Sequence, residues 1–381
     1  QPMHKMTFFP LGNADCCRID LDCGKKILFD FADTRDPEDK NDLRCDLPKE
    51  LRDDLETCNR DYFDVVAFSH LDKDHFSGAT DFFYLEHAKK YQGEDRIKIN
   101  VMWVPAALIT EQRPDDDEAR ILQKEARYRF REGKGIRVFS RPERLRQWCE
   151  ENGIKLDDRL QMISDAGELA PEFSLSADKV EFFVHSPFAV RQNENTVEDR
   201  NEDSLVMQVT FEIDRVQTKA VLLADSTHEI LSDIVDITRS KGNDQRLEWD
   251  IAKLPHHCSY LSIGPEKGKN KTKAVEQVDW LFKEQGQDGA VAVSTSKPIP
   301  EAGTDEDKDD QPPHRQAAEY YNEVISGLGG QFVVTMEHPT ANDPKPVVIE
   351  IGKTKGTLKK SVLGAAYVVT SQRAPRAGSR G

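Results

Sequence analysis

The sequence predicts an α/β layered protein, and three observations lead there. Strand-length apolar runs alternate with helical stretches along most of the chain. Three of the apolar runs end in His or Asp, the pattern of a sheet edge on which side chains converge. The chain has 381 residues, 37% hydrophobic and 32% charged, which is enough apolar material for one large domain or two small ones.

The elements follow in order. Residues 6–31 alternate short apolar runs with Gly12-Asn13 and Cys23-Gly24, predicting two or three antiparallel strands with tight turns. Residues 33–61 are rich in charge around Leu47, Leu51 and Leu55, a spacing of four that predicts one amphipathic helix. The run Phe63-Asp64-Val65-Val66-Ala67-Phe68 is an apolar strand that delivers Ser69 and His70 to its C-terminal end. A helix is expected over 80–91 and a strand over 97–104, and helical signals dominate 105–155. Within that segment residues 120–146 carry ten Lys or Arg against three Glu, so 105–155 is expected to be a basic helical insertion. Strands are expected at 179–185, 204–213, 218–223 and 250–254, and helices near 227–241, 273–285 and 316–328. Residues 192–203, 264–273 and 298–313 are predicted as loops, and 371–381 as a disordered tail.

Composition excludes several classes. No run approaches the roughly 18 apolar residues of a membrane span, and the first 25 residues show no basic start followed by an apolar stretch. Seven cysteines, odd in number and without a Cys-x-x-Cys pair, fit reduced thiols, so a cytoplasmic location with no membrane partner is expected. A net charge of -16 excludes a surface coated throughout for nucleic acid, though not a local basic patch. Trp103, Trp148, Trp249 and Trp280 fall on apolar patterns and are expected in the core.

The chemistry-bearing run is Ser69-His70-Leu71-Asp72-Lys73-Asp74-His75-Phe76-Ser77-Gly78. Four ligand-capable side chains within six residues, after a strand and before a helix, suit a pair of divalent cations; a solvated polar turn is the plainer alternative. Asp225 ends the apolar run Ala220-Val221-Leu222-Leu223-Ala224, and His256-His257 end another from Ala252 to Pro255. Alone, a strand-end Asp is more often a helix cap than a ligand, and a His pair could be a structural or surface feature. Together with the first run they predict ligands meeting at one sheet edge.

This pattern resembles the metallo-β-lactamase superfamily, and within it the ComEC-like hydrolases, whose relatives include the nuclease domain of the competence DNA-uptake channel. His70, Asp72, Asp74 and His75 resemble a His-x-Asp-x-Asp-His form of the family motif. Asn201-Glu202-Asp203-Ser204-Leu205-Val206 resembles its Asn-x-x-Ser-Leu-Val strand entry. Ala224-Asp225 stands for Gly-Asp, His256-His257-Cys258-Ser259 for His-His-Gly-Ser, and Pro313-His314 for His-Pro. The likeness spans residues 5–352 and departs from the family at Ala224, Cys258 and the inverted Pro313-His314.

The resemblance implies an αββα sandwich, with 105–155 elaborating it, and two divalent metal ions, Zn²⁺ or Mn²⁺, with Mg²⁺ as a further candidate. It implies that His70 and Asp72 hold the first ion, Asp74 and His75 the second, and Asp225 bridges. His257 is the preferred final ligand, because related nucleases carry a run that matches His257-Cys258-Ser259-Tyr260. The wider superfamily supplies a further His where His185 stands. Such a centre activates a water for attack on phosphorus, with Asp74 orienting it and Lys253 or His314 neutralising phosphoryl charge. Ser204, His256 and Ser259 are expected against substrate.

The implied activity is a metal-dependent nuclease or phosphodiesterase acting on DNA or RNA. Tyr128-Arg129-Phe130-Arg131 interleaves aromatics with cations and could stack bases and hold phosphates, with Arg129 and Arg131 as contacts. A solvated helical face is the competing reading of that run. Two alternatives stay open: hydrolysis of a small ester, such as a phosphocholine-type diester or a lactone, and a binding or scaffold protein with a degenerate site. A soluble copy of such a domain is also compatible with a protein partner encoded in the same operon.

Overall fold

The computed structural model describes residues 2–112, 114, 116–188 and 204–359. The 192–203 loop, including Asn201, Glu202 and Asp203 of the strand-entry motif, and the 371–381 tail lie outside them.

The first half runs β1 (His4–Phe8), β2 (Cys17–Asp20), β3 (Lys26–Phe29), α1 (Leu47–Thr57), β4 (Tyr62–Ala67), α2 (Lys73–Phe76), α3 (Ala79–Phe82), β5 (Lys98–Pro105), α4 (Ala106–Thr110), α5 (Asp117–Glu132), β6 (Ile136–Phe139), α6 (Glu143–Glu151) and β7 (Ile163–Ser164). The second half runs α7 (Leu175–Asp178), β8 (Val180–Ser186), β9 (Val206–Ile213), β10 (Val216–Leu222), α8 (His228–Ser240), β11 (Trp249–Lys253), α9 (Glu276–Asp279), β12 (Gly286–Ser294), α10 (Arg315–Gly327) and β13 (Gln331–Val334). After the small pair β14 (Pro339–Thr340) and β15 (Asp343–Pro344), β16 (Val347–Gly352) and β17 (Lys355–Leu358) return to the first sheet beside β1.

One sheet has the order β17-β16-β1-β2-β3-β4-β5-β6-β7 and the other β13-β12-β11-β10-β9-β8. Strands β3 to β7 run parallel, as do β10 to β13. Such strands are buried on both faces and need apolar residues on each. Thus Val65 and Ala67 of β4 face the partner sheet while Phe63 and Val66 face helices, and Ile251 and Ala252 divide β11 in the same way.

Three apolar layers result. Between the sheets Trp103 packs edge-on to Phe182 at 5.2 Å and to Phe139 at 5.5 Å. Helices α1, α5 and α6 cover the first sheet, and α8 and α10 the second. The chain is therefore an α/β/β/α sandwich, the arrangement expected. Each fully buried Phe or Leu stabilises it by about 1.5–3 kcal/mol relative to exposure. Local signals fit: Leu47, Leu51 and Leu55 form the buried face of α1 behind an Asp46 cap, and Thr227 caps α8. No helix among the described residues is long and apolar enough to cross a membrane.

Three expectations need correction. Residues 105–155 are not helical alone, because β6 lies within them and joins the first sheet beside β5. The helix expected over 80–91 is confined to α3 and one 3-10 turn, Lys89–Tyr91, since Phe83 and Leu85 are spent on core contacts in irregular chain. Strand β12, between β11 and β13, was not foreseen.

Candidate metal centre

The register of the strands brings six loops to one edge of the sandwich. Phe29 of β3 pairs with Ala67 of parallel β4 and with Cys17 of antiparallel β2, so Asp30, Ser69-His70 and the loop before Cys17 emerge together. On the facing sheet Leu222 pairs with Lys253, and Lys253 with Val293, so Asp225, His257 and Thr295 emerge together. Backbone bonds stitch the His70–His75 loop in place: Phe31 N to His75 O at 3.0 Å, Asp33 N to Ser77 O at 2.8 Å and Asp15 N to Asp74 O at 2.9 Å. Gly78 closes the loop at φ +78°, where a Cβ would come 3.0 Å from Asp33 Cβ.

The side chains form two overlapping groups, Asp15-His75-Asp225-His257 and His70-Asp74-His75-Asp225, whose ligand atoms in each group lie within 4.8 Å of one another. Nε2 of His75 is 3.2 Å from Asp225 Oδ2, 3.3 Å from Asp74 Oδ2 and 3.4 Å from Asp15 Oδ2. His70 Nε2 is 3.4 Å from both Asp225 Oδ2 and Asp72 Oδ2, and His257 Nε2 is 2.6 Å from Asp74 Oδ2.

The residues present fit metal ions. His75 Nδ1 donates to Asp30 Oδ2 at 2.7 Å and His257 Nδ1 to the Thr295 carbonyl at 2.8 Å. Ser69 donates its hydroxyl to Asp30, so at 3.1 Å it accepts from His70 Nδ1. All three rings are thus held through Nδ1 and turn Nε2 towards carboxylates, the orientation that outer partners impose on metal-bound imidazoles. Buried His70 Nε2 and Asp225 Oδ1 have no hydrogen-bond partner among the described residues, a costly state that a cation relieves.

Electrostatics point the same way. Burial and neighbouring His75 oppose a charge on His70, yet Asp225 and Asp72 raise its pKa to about 9. Burial opposes ionisation of Asp74, but His75 and His257 hold its carboxyl well below the usual range. Burial should also neutralise the Lys253 ammonium, yet Asp15 and Asp225 keep its pKa above the ordinary lysine value. The centre is a pocket of negative potential that retains any positive charge offered to it.

Of the expected ligands, His70, Asp74, His75, Asp225 and His257 meet in this cluster, and Asp72 stands at its edge with 35% of its side chain exposed. His185 does not join them: its Nε2 donates to the Arg246 carbonyl at 2.7 Å, and burial lowers its pKa to about 4. His256 is half-buried beside the cluster, its Nδ1 buried without a hydrogen-bond partner among the described residues. Ser204 is buried where the Leu205 amide bonds the Ser69 carbonyl, and Ser259 accepts from the Leu261 amide.

The remaining assignments are corrected by their surroundings. Lys253 points between the sheets to Asp15 Oδ2, 3.0 Å away, and to the Ala224 carbonyl, so it does not face an incoming phosphate. His314 accepts from the Tyr260 amide at 3.2 Å and donates to the Asp310 carbonyl at 3.1 Å, which makes it a brace for the 256–260 loop. Arg129 lies in the core, bonded to Glu125 Oε1 and to the Ile99 and Gly135 carbonyls, and cannot touch nucleic acid. Arg131 is exposed but engaged with Asn152 Oδ1 and the Trp148 ring.

Two carboxylates were missed, Asp15 and Asp30. Each is a single Asp beside a turn, and only their emergence on the same edge as His75 marks them. Asp30 adopts φ 59°, and His256, His257 and Cys258 adopt φ 49°, 52° and 66° in succession. Left-handed backbone costs about 1–3 kcal/mol per non-Gly residue and persists where surrounding bonds over-determine it. Here those bonds run from His256 N to Ala224 O, from His257 Nδ1 to Thr295 O and from His314 N to Cys258 O.

No protein-family model and no curated protein matches the chain. Among solved structures it is similar to one described as "Crystal Structure of a New Diphosphatase from the PhnP Family", with 11% identity and a TM-score of 0.32, over 91% of this chain and 98% of that one. That superposition is loose.

Proposed function

We propose that the chain is a metal-dependent hydrolase of phosphodiester bonds, in DNA or RNA in the first instance. The observation that carries it is the set of three imidazoles, each fixed through Nδ1 and each presenting Nε2 to the carboxylates of Asp74 and Asp225 beside unsatisfied buried atoms. His70, Asp74, His75, Asp225 and His257 would hold two divalent ions, with Asp72 joining from the edge. Bound cations of this kind neutralise charge on a phosphoryl group and lower the pKa of water from about 15.7 towards about 7.

The chain supplies the rest. Asp74, with 28% of its side chain exposed, is a carboxylate of the cluster open to solvent. From Oδ2 or Oδ1 it can accept the hydrogen bond of an attacking water and so fix its approach. Asp30, Thr295 and Ser69 keep the imidazoles from turning, and the deep placement of Asp225 and His75 excludes bulk water from the cluster floor. The carboxylate-rich set favours harder cations such as Mn²⁺ or Mg²⁺ alongside Zn²⁺.

A second reading, a small phosphodiester in place of a polymer, is favoured by Arg129, whose burial removes the centre of the supposed basic arm. One assay covers both. Plasmid, single-stranded DNA, RNA and bis-p-nitrophenyl phosphate are each incubated with the protein under Mn²⁺, Mg²⁺ and Zn²⁺. Cation-dependent cleavage of a polynucleotide, lost in Asp74→Ala, is the expected result. Turnover of the small diester alone moves the reading to small substrates, and no phosphodiester cleavage with any cation overturns it.

A further inference from the structure

We infer that Asp15, in the loop between β1 and β2, is itself a ligand of the metal position formed by His75, Asp225 and His257, with Lys253 fixing its orientation. The inference rests on the metal-centre reading above and adds to it a carboxylate from a different part of the chain.

The geometry of Asp15 is hard to explain otherwise. It is 3% exposed, and one oxygen of it lies within 4.8 Å of ligand atoms of His75, Asp225 and His257. A carboxylate has about four lone-pair sites on two oxygens. Thr295 donates its hydroxyl to Oδ1 and Lys253 Nζ donates to Oδ2, which leaves Oδ2 with capacity directed at His75 Nε2, 3.4 Å away. Asp30 engages His75 Nδ1, so Nε2 is the ring atom turned to the interior of the cluster. The carboxylates of Asp15 and Asp225 both face it, at 3.4 and 3.2 Å, and two buried carboxylates so close together need positive charge between them, which a divalent cation supplies.

A purely structural Asp15–Lys253 pair would not need that placement. A buried ion pair is a weak source of stability, and apolar residues of similar volume often serve as well. Instead the pair links three ligand loops. The Asp15 amide bonds the Asp74 carbonyl at 2.9 Å, Lys253 Nζ reaches the carbonyl of Ala224 next to Asp225, and Thr295, which holds Asp15, also holds His257. Lys253 thus occupies one side of the Asp15 carboxylate and leaves the other for the metal position.

The test is metal binding by the full-length protein, independent of any substrate. Apoprotein of the wild type, Asp15→Asn and Lys253→Met is titrated with Mn²⁺, followed by elemental analysis and the Mn²⁺ paramagnetic resonance spectrum. Wild type is expected to take two ions with a spin-coupled spectrum. D15N is expected to lose one ion, or more than about 100-fold in affinity at one position, beyond the 10–100-fold typical of an outer partner, and to show an uncoupled spectrum. K253M removes the ammonium that fixes the Asp15 carboxylate and is expected to weaken the same position about 10–100-fold, less than D15N does, with two ions still bound at saturating Mn²⁺. Two ions with a coupled spectrum and wild-type affinity in D15N, equal weakening of both positions in D15N, or unchanged or tighter binding in K253M overturns the assignment. If wild type binds no metal, the metal-centre reading fails with it; if wild type binds two ions and D15N does too with wild-type affinity, only the Asp15 assignment fails.

Discussion

Asp30 Oδ2 accepts the Nδ1 proton of His75 at 2.7 Å, and the same carboxylate takes both the amide and the hydroxyl of Ser69. One residue in a left-handed conformation thereby sets the direction of the most central imidazole and the start of the loop that carries His70. Asp30→Ala should leave the strands intact while letting the His75 ring rotate. Metal affinity is expected to fall about 10–100-fold, read by competition against a chelator, whereas Asp30→Asn should retain the Ser69 contacts and lose less.

His185 gives a pH signature away from the metal cluster. Burial depresses its folded-state pKa from 6.5 to about 4, so between those values the unfolded chain binds the extra proton. Its contribution to stability is complete above pH 6.5 and is lost as pH falls through 4, a change of up to about 3 kcal/mol. His185→Gln keeps a donor for the Arg246 carbonyl but cannot titrate. Thermal melts over pH 4–7 should show a shallower acid limb for this variant, with its metal content equal to that of wild type.

Arg129 should behave as a core residue. Its removal strands Glu125, whose pKa is about 2: burial works against ionisation, and His87 and Arg129 overcome it. Arg129→Ala is expected to cost about 3–5 kcal/mol in chemical denaturation. Arg131→Ala, on the exposed side of the same helix, should cost well under 1 kcal/mol.

Ala224 sits at φ 49° and Cys258 at φ 66°, the two positions at which the sequence departs from glycine in the motifs it resembles. Ala224→Gly should stabilise the protein by about 0.5–1 kcal/mol, since it relieves left-handed strain and removes only a methyl group. Cys258→Gly relieves the same strain but empties a fully buried side-chain position, so its net change should be near zero or unfavourable. Denaturant midpoints of the two variants separate these effects.

These contrasts show what was legible in the sequence. His70 to His75 could be read because four ligand-capable side chains crowd into six residues, Asp225 because it follows the apolar run 220–224, and His256-His257 because two imidazoles stand together at a strand end. Asp15 and Asp30 could not, because an Asp next to a turn looks the same whether it faces water or a metal position. Only strand register, Phe29 against Ala67 and Cys17, places them on the shared edge. Arg129 was misplaced for a different reason. It falls on the stripe of Leu122, Glu125 and Ala126, the buried face of α5, and the cation-aromatic interleaving obscured that helical period. The layered fold was readable from alternating periods, yet β6 hid among basic residues, and β12 begins Gly-Gln-Asp-Gly before its apolar run.

The central claim is that His70, Asp74, His75, Asp225 and His257 form a two-metal centre at the sandwich edge. Anomalous diffraction from crystals grown with Mn²⁺ or Zn²⁺ tests it most directly. Two anomalous peaks are expected, one against His70 Nε2 and one against His257 Nε2, with Asp225 between them. Crystals of a well-folded protein that show no peak within the cluster, or whose ions lie at His185 or on the surface instead, would contradict it.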